Sequence, residues 1–379
     1  MFTPELLDAV YGTNGITGGM LTEGGYKSYP SGDEAAYLWN AGIVQVYEGA
    51  AGFYLPNETQ DPWGNSVTVT FDSYRIAPIS TLDAVGNTSS AVIDYRTMSP
   101  SKLTDANGNC SEAITDPAGL VIATSIYGTE QGVDRGDMPL SGYTVQSPPS
   151  VRHVVDNPAT YLQSATTFFY YDVNAWIDRA EPPQAVGLTR ETHVRDLGQG
   201  QSTKVQAGVT CSDGFGREIQ SKLMVEAGQA WVKELIAPGE PGYVEGEDNY
   251  RFVEQNVAER WLSSGRTVFN NKEKPVKQYE PFYTATEAYE PEQFFATHGV
   301  TPVIHYDPLL RVVRTDTPKG FHSKVEFDPW TVTSYDTNDT VTDSDYYTEN
   351  YDLSGFDADE KAALTKAAAH ADTPGIAKL

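Results

Sequence analysis

Aspartate is the residue best placed to do chemistry in this sequence, because it recurs at a fixed spacing. Asp61-Pro62-Trp63-Gly64-Asn65 returns as Asp83-Ala84-Val85-Gly86-Asn87 and then as Asp105-Ala106-Asn107-Gly108-Asn109, each step being 22 residues. Looser copies follow at Asp213-Gly214-Phe215-Gly216-Arg217, Asp307-Pro308-Leu309-Leu310-Arg311 and Asp328-Pro329-Trp330. Paired carboxylates can work as general acid and base, with Asp213 and Asp307 as the candidates. They can also bind calcium, and Asp105-Ala106-Asn107-Gly108 has the form of an Asp-x-Asn-Gly loop. Cys211 with His193 would make a nucleophile and its base. His298, His305 and His322 could converge in the fold.

The elements that must position these residues argue for a plainer role. A second aspartate keeps the same register, at Asp72, Asp94 and Asp116, so a turn signal falls every 11 residues. Between the turns lie runs such as Ser66-Val67-Thr68-Val69-Thr70-Phe71, β-branched and aromatic with period-2 alternation. Aspartate at the head of a turn accepts hydrogen bonds from the backbone two residues on, and glycine supplies the positive φ of a tight hairpin. A strand-turn-strand-turn unit of 22 residues cannot bury an apolar face alone, so the units are expected to stack side by side into a continuous sheet. The turn residues Asp61, Gly64, Asn65, Asp83, Gly86, Asn87, Asp105, Gly108, Asn109, Asp213, Gly216, Arg217, Asp307, Arg311 and Asp328 are therefore given a structural role. No residue is assigned to catalysis, a cofactor or a metal. Asp105 lacks the downstream glutamate of a calcium loop, and no histidines stand in His-x-x-x-His spacing. Cys211 sits inside a strand-turn pattern and reads as a packed thiol. Gly64, Gly86 and Gly108 open no phosphate-binding helix. Arg217, Arg266 and Arg311 follow turns and are expected to pair with acidic neighbours across the sheet.

Composition supports a folded, strand-rich chain of 379 residues, 39% hydrophobic and 21% charged, with 33 Gly, 23 Pro and 23 Tyr. The formal net charge of -26 excludes nucleic acid as a ligand and disfavours anionic membrane surfaces. Cys110 and Cys211 are far apart in sequence and form no Cys-x-x-Cys pair, so two free thiols are expected. No apolar run is long enough to span a membrane, and Met1-Phe2-Thr3-Pro4-Glu5 does not open a signal peptide.

The fold class that follows is all-β, an extended array of antiparallel hairpins with few short helices. Residues 1–50 read as an irregular or β segment, 51–127 as the regular repeats, and 128–160 as a loop or insertion rich in Gly, Pro, Ser and Asp. Residues 161–350 read as looser repeats, with a short helix possible over 284–297. Residues 351–379 read as helical, opened by a capping box of Asp357 and Glu360. Both ends are abrupt, which suggests a piece of a longer polypeptide.

The looser copies resemble the Rhs/YD-repeat family, whose repeat reads roughly Tyr-Asp-x-x-Gly-Arg-Leu/Val. More narrowly, the chain looks like the repeat-bearing shell region of the B component of bacterial insecticidal toxin complexes. Three stretches carry that likeness: Arg190-Glu191-Thr192-His193-Val194 through to Asp213-Gly214-Phe215-Gly216-Arg217-Glu218, Gly265-Arg266-Thr267-Val268-Phe269-Asn270 through to Gln278-Tyr279-Glu280-Pro281, and Gly299-Val300-Thr301-Pro302 through to Phe327-Asp328-Pro329-Trp330. The resemblance implies a non-enzymatic wall segment, wound from β-sheet, of a shell that encloses a toxic polypeptide. It implies a C-type partner that completes the shell, a pore-forming A component on which the shell docks, and a secreted complex. Leu310 stands where the family usually has glycine, and Glu273 stands in a turn that would also suit glycine. Non-glycine residues at positive φ are costly, so those turns are expected to differ locally. A reading from another class is a carbohydrate-binding or carbohydrate-processing β-repeat protein, which predicts a groove lined by exposed aromatics and two converging carboxylates.

Overall fold

In the computed structural model the described residues are 1–28, 36–40, 42–245, 249–290, 300–349, 357–369, 371 and 375–378. They fall into two units. The first is Met1–Ser147, Pro158–Phe169 and Thr189–Val205, and the second is Pro148–Asn157, Tyr170–Leu188 and Gln206–Leu379.

In the first unit the 22-residue period becomes an antiparallel meander. The strands Val44–Tyr47, Pro56–Gln60, Ser66–Phe71, Pro78–Leu82, Thr88–Asp94, Ser99–Thr104, Cys110–Thr115 and Val121–Glu130 each pair with the next. One cross-strand row runs through Thr70, Ser80, Ser90, Thr104, Cys110 and Tyr127. Alternation sends Val69, Thr81 and Ser89 to the opposite face. No strand residue between Pro56 and Thr115 is fully buried, so both faces of this sheet remain partly open. The edges differ. Register shifts at Val46/Tyr47, Thr70/Phe71 and Val92/Ile93 lie at one edge, whereas the turns at Asp61, Asp83 and Asp105 close the other without a shift. A bulge repeated along one edge increases the local twist there.

The hairpin turns rest on glycine. Gly86 has φ 92°, and a Cβ built there meets nothing within 4 Å, so the strain of a side chain comes from the backbone alone. Gly86→Val is expected to destabilise the first unit by about 1–2 kcal/mol, the cost of an L-residue held in the left-handed region. Thermal unfolding checks it, and an unchanged Tm would refute the hairpin-turn assignment.

Residues 128–160 are more ordered than a loop. The strand Val133–Gly136 closes a hairpin on Val121–Glu130, and the helices Val151–Asp156 and Pro158–Leu162 follow. These helices are short and bounded by Pro148, Pro149 and Pro158, which hides their period; the buried Val151, Val154 and Val155 show it, with Ser150 Oγ accepting the His153 N–H at the N-terminus. The small core of the first unit is built on Ala123, Leu140 and Ala165, against which Ile114 and Tyr143 pack. In the aromatic run Phe168-Phe169-Tyr170-Tyr171, which is a strand, Phe168 is buried and stacks on Tyr161. Residues 1–50 also carry helical turns, Pro4–Leu6 and Gly18–Glu23, each capped by a threonine.

In the second unit, Val205–Ser212, Glu218–Val225, Arg260–Ser263 and Phe282–Thr284 form one sheet, aligned through Val209, Lys222, Ser263 and Phe282. Strict alternation buries Ala207, Val209 and Cys211. A long hairpin pairs Gly228–Leu235 with Tyr250–Val257. A second sheet takes Thr267–Phe269, Pro275–Gln278, Val303–Tyr306, Val312–Asp316, His322–Phe327, Thr331–Tyr335 and Gly375–Lys378 in that order. The helix Ala358–Ala369 is opened by the expected box: Asp357 N–H donates to Glu360 Oε2 (3.1 Å) and Glu360 N–H to Asp357 Oδ1 (2.8 Å). Of the helix placed at 284–297, residues 285–290 are not helical and 291–297 lie outside the described residues. Among the described residues, no helix is long and apolar enough to cross a membrane.

Candidate functional site

The repeated turn has one geometry. In the turn of Asp83, the Asp83 N–H donates to Asn87 O (3.0 Å) and the Gly86 N–H to Asp83 O (3.2 Å). Asp83 Oδ1 accepts the N–H groups of Val85 (3.0 Å) and Asn87 (2.8 Å), and Oδ2 accepts Asn87 Nδ2 (2.7 Å). The same bonds recur around Asp61 and Asp105. Both oxygens of each aspartate are thus occupied by donors of its own turn. The Asn65 amide on Asp61, the Asn87 N–H on Asp83 and the Asn109 amide on Asp105 hold these carboxyls below their ordinary value of 3.8. A lowered carboxyl stabilises the fold fully above its unfolded value, and that contribution is lost as pH falls through the folded one. Melting temperatures taken between about pH 5 and about pH 2 are therefore expected to fall less steeply when Asp61, Asp83 and Asp105 are all asparagine.

In the second unit an arginine replaces the asparagine and does more. Arg217 donates through Nε to Asp213 Oδ2 (2.7 Å), and its guanidinium lies 4.4 Å from the centre of the Phe269 ring. Arg311 repeats this on Asp307 Oδ2 (2.7 Å), with Phe327 at 3.9 Å. Phe269 precedes the turn at Asn270, and Phe327 precedes the turn at Asp328. The arginine therefore ties its own turn to the aromatic of another. This corrects the expectation of pairing across the sheet for Arg217 and Arg311: the five-residue turn puts each arginine opposite its own aspartate, a nearer acceptor. Arg266 lies over the Tyr289 ring at 5.4 Å.

The turns at Leu310 and Glu273 do not differ from the rest. Leu310 takes φ 66° and Glu273 φ 64°, and their N–H groups donate to Asp307 O and Asn270 O as the glycines do elsewhere. The hydrogen bonds that Asp307 Oδ1 and Asn270 Oδ1 accept from the turn backbone over-determine the conformation, so strain is borne rather than avoided. Leu310→Gly is expected to raise stability by about 0.5–1 kcal/mol, the relief of left-handed strain less the entropy of glycine. Urea unfolding with an unchanged m-value checks it.

Two buried polar knots stand apart from the turns. In the first unit, Asp137 is wholly buried. Its Oδ2 accepts Thr166 Oγ1 (2.6 Å) and meets His193 Nδ1 (2.6 Å); its Oδ1 accepts the Val194 N–H (2.8 Å) and lies 3.3 Å from Arg190 Nε. Arg190 also donates to Ala165 O (2.6 Å) and Gln163 O (2.7 Å). One carboxylate thus pins the loop after Arg190 to the sheet. In the second unit, Lys222 Nζ lies 2.5 Å from Glu290 Oε2 and donates to Thr286 O (2.9 Å) and Ala288 O. Glu290 also takes Thr284 Oγ1 (2.8 Å), and its N–H donates to Gln220 Oε1 (3.0 Å). Arg152 holds the same segment through Glu287 (3.0 Å) and pairs with Glu259 (2.6 Å). Burial raises the Glu290 carboxyl and lowers the Lys222 ammonium, so desolvation outweighs their attraction.

No family model and no curated protein matches the sequence. Solved structures do. The crystal structure of TcdB2-TccC3 matches 100% of this chain and 17% of its own, at a TM-score of 0.71 and 25% identity. The crystal structure of TcdB2-TccC3-Cdc42 matches 100% of this chain and 19% of its own, at 0.70 and 22%. The Tc holotoxin pore of Photorhabdus luminescens matches 100% and 19%, at 0.71 and 21%. This chain has the Tc shell fold. It spans less than a fifth of the chains it matches.

Within this fold the residues singled out for chemistry are mostly bound elsewhere. Asp213 and Asp307 hold their own turns and Arg217 and Arg311. Asp328 caps a turn one residue shorter, accepting the N–H groups of Trp330 (2.7 Å) and Thr331 (2.8 Å). The Cys211 thiol is buried, which pushes it up to about 12, away from nucleophilic use. His305 meets Asp316 (2.6 Å), His322 is buried and held below its ordinary value by that burial, and His298 lies outside the described residues. Neither cysteine is in a disulfide. Sequence reasoning missed Asp137, Thr166, Arg190, Lys222 and Glu290. The only signal was that Arg190 and His193 lie in a stretch resembling the toxin shell.

Proposed function

We propose that this chain is a non-enzymatic wall segment of an Rhs/YD-type toxin shell. With a C-type partner it encloses a toxic polypeptide, which a pore-forming A component delivers from a secreted complex. The observation that carries this reading is the match of the whole chain to TcdB2-TccC3 at a TM-score of 0.71. The turn chemistry supports it: the repeat aspartates spend their oxygens on the backbone, which suits a wall and not a reaction centre. The partly open faces of the repeat sheet suit a wall that is one sheet thick.

The test is coexpression of the polypeptide that carries this chain with the C-type component. The reading expects a stable complex in size exclusion, with the toxic tail protected from added protease. A polypeptide that folds and purifies normally yet leaves that tail digestible would overturn it.

A further inference from the structure

The buried pair of the second unit is in close contact yet is not hydrogen-bonded. Lys222 Nζ lies 2.5 Å from Glu290 Oε2. Oε2 nevertheless has no hydrogen-bond partner among the described residues, so the contact is too bent to be such a bond. The hydrogen bonds of the lysine go to Thr286 O (2.9 Å) and Ala288 O. These two carbonyls use two N–H groups. The direction that remains at nitrogen, an N–H in the ammonium and a lone pair in the amine, is the one left for the carboxyl group. Oε2 is one bond from Cδ, so nitrogen and carboxyl carbon are at most about 3.8 Å apart. Reacting atoms in a near-attack arrangement are about 3–3.5 Å apart, so a small movement closes the gap.

The surroundings favour reaction over ionisation. Lys222, Thr284 and Glu290 are 3%, 4% and 5% exposed, so bulk water has no ready access. An ammonium has no lone pair, and a carboxylate repels a nucleophile. Burial lowers the Lys222 ammonium and raises the Glu290 carboxyl, which populates the amine and the acid beside the ion pair. The carboxyl group is also held in place. Thr284 Oγ1 donates to Oε1 (2.8 Å), and the Glu290 N–H donates to Gln220 Oε1 (3.0 Å).

We propose that Lys222 and Glu290 condense after folding into an amide between their side chains, an intramolecular isopeptide bond. Nζ attacks Cδ, and Oε1 carries the negative charge of the tetrahedral intermediate against the Thr284 hydroxyl. The Cδ–Oε2 bond then breaks. Oε2 leaves as water, with the proton of the acid and one from Nζ. The amide keeps one N–H for a carbonyl of Thr286 or Ala288. The product joins the strand Glu218–Val225 to the stretch after Phe282–Thr284, closing the chain between residues 222 and 290 into a covalent loop. The pair is open at the moment of folding, and this open form is the reference for comparing variants in urea.

The experiment is intact-mass spectrometry on the full chain, refolded, held folded near pH 7.5 and sampled over days. The mass of the wild type is expected to fall by one water. Protease digestion should then release the peptide carrying Lys222 joined to the one carrying Glu290, with no cleavage after Lys222. Lys222→Met and the wild type held in urea should keep full mass. Thr284→Val, which keeps the size of the side chain and removes the oxyanion donor, should slow the loss about a hundredfold. Full mass retained by the folded wild type, loss of water that persists in Lys222→Met or in urea, or joined peptides that involve other residues overturns the proposal. An unchanged rate in Thr284→Val overturns the role given to Thr284.

Discussion

Lys222→Met is expected to lower the stability of the second unit by about 3–5 kcal/mol, because it leaves a buried carboxylate without its counter-charge. The Lys222 side chain is fully buried, and Glu290 beside it is nearly so. The substitution also strips a donor from the carbonyls of Thr286 and Ala288. Around the knot, Gln220 Nε2 and Ser263 Oγ also lack partners among the described residues. The double variant Lys222→Met, Glu290→Met separates the cost of breaking the pair from the cost of having one. It removes both charges at similar volume, and such replacements are commonly neutral or stabilising. Urea unfolding of the wild type, the single and the double variant checks this. A single variant within about 1 kcal/mol of wild type would show that the pair is not buried as described.

The second large effect belongs to Asp137. Asp137→Leu keeps the size of the side chain and removes every acceptor. The Arg190 guanidinium, almost wholly buried, then has only the carbonyls of Ala165 and Gln163, and no negative partner. Thr166 Oγ1 and the Val194 N–H lose their bonds in the same step. The expected loss is again about 3–5 kcal/mol for the orphaned charge. It should be accompanied by faster proteolysis between residues 191 and 204, since the tether of that loop is gone. Asp137→Asn, which retains an acceptor oxygen, should cost less. Equal stability of Asp137→Leu and wild type would mean that the knot does not hold the loop.

The parts of this molecule that were legible in sequence are those whose partners are close in sequence. Asp83 finds Val85, Gly86 and Asn87 within one turn, so three side-chain types at fixed offsets suffice to place it. The capping box of Asp357 and Glu360 was legible for the same reason. Where one side chain serves distant partners, legibility stopped. Arg217 and Arg311 were seen to follow turns, yet their aromatic partners, Phe269 and Phe327, come from other hairpins. At Leu310 the residue type alone points to a departure from the turn, because the hydrogen bonds that hold its positive φ come from the folded backbone. The helix Val151–Asp156 was hidden because six residues between prolines show too little of a 3.6 period.

The amino-acid sequence by itself determined the repeat, the positions of its turns, the all-β class and the resemblance to the toxin-complex shell. Each follows from interactions inside a window of a few residues, or from their recurrence at a fixed period. Tertiary structure alone decided which polar residues leave water. Asp137 draws Thr166 from one segment and Arg190 and His193 from another, and Lys222 meets Glu290 from the irregular stretch after the strand Phe282–Thr284. In sequence such residues are indistinguishable from surface charges, because burial is set by what the chain later lays over them. The opening aspartates thus turned out to be the solvent-side staples of the sheets, while the carboxylates that bear the largest energies are two that no repeat marks.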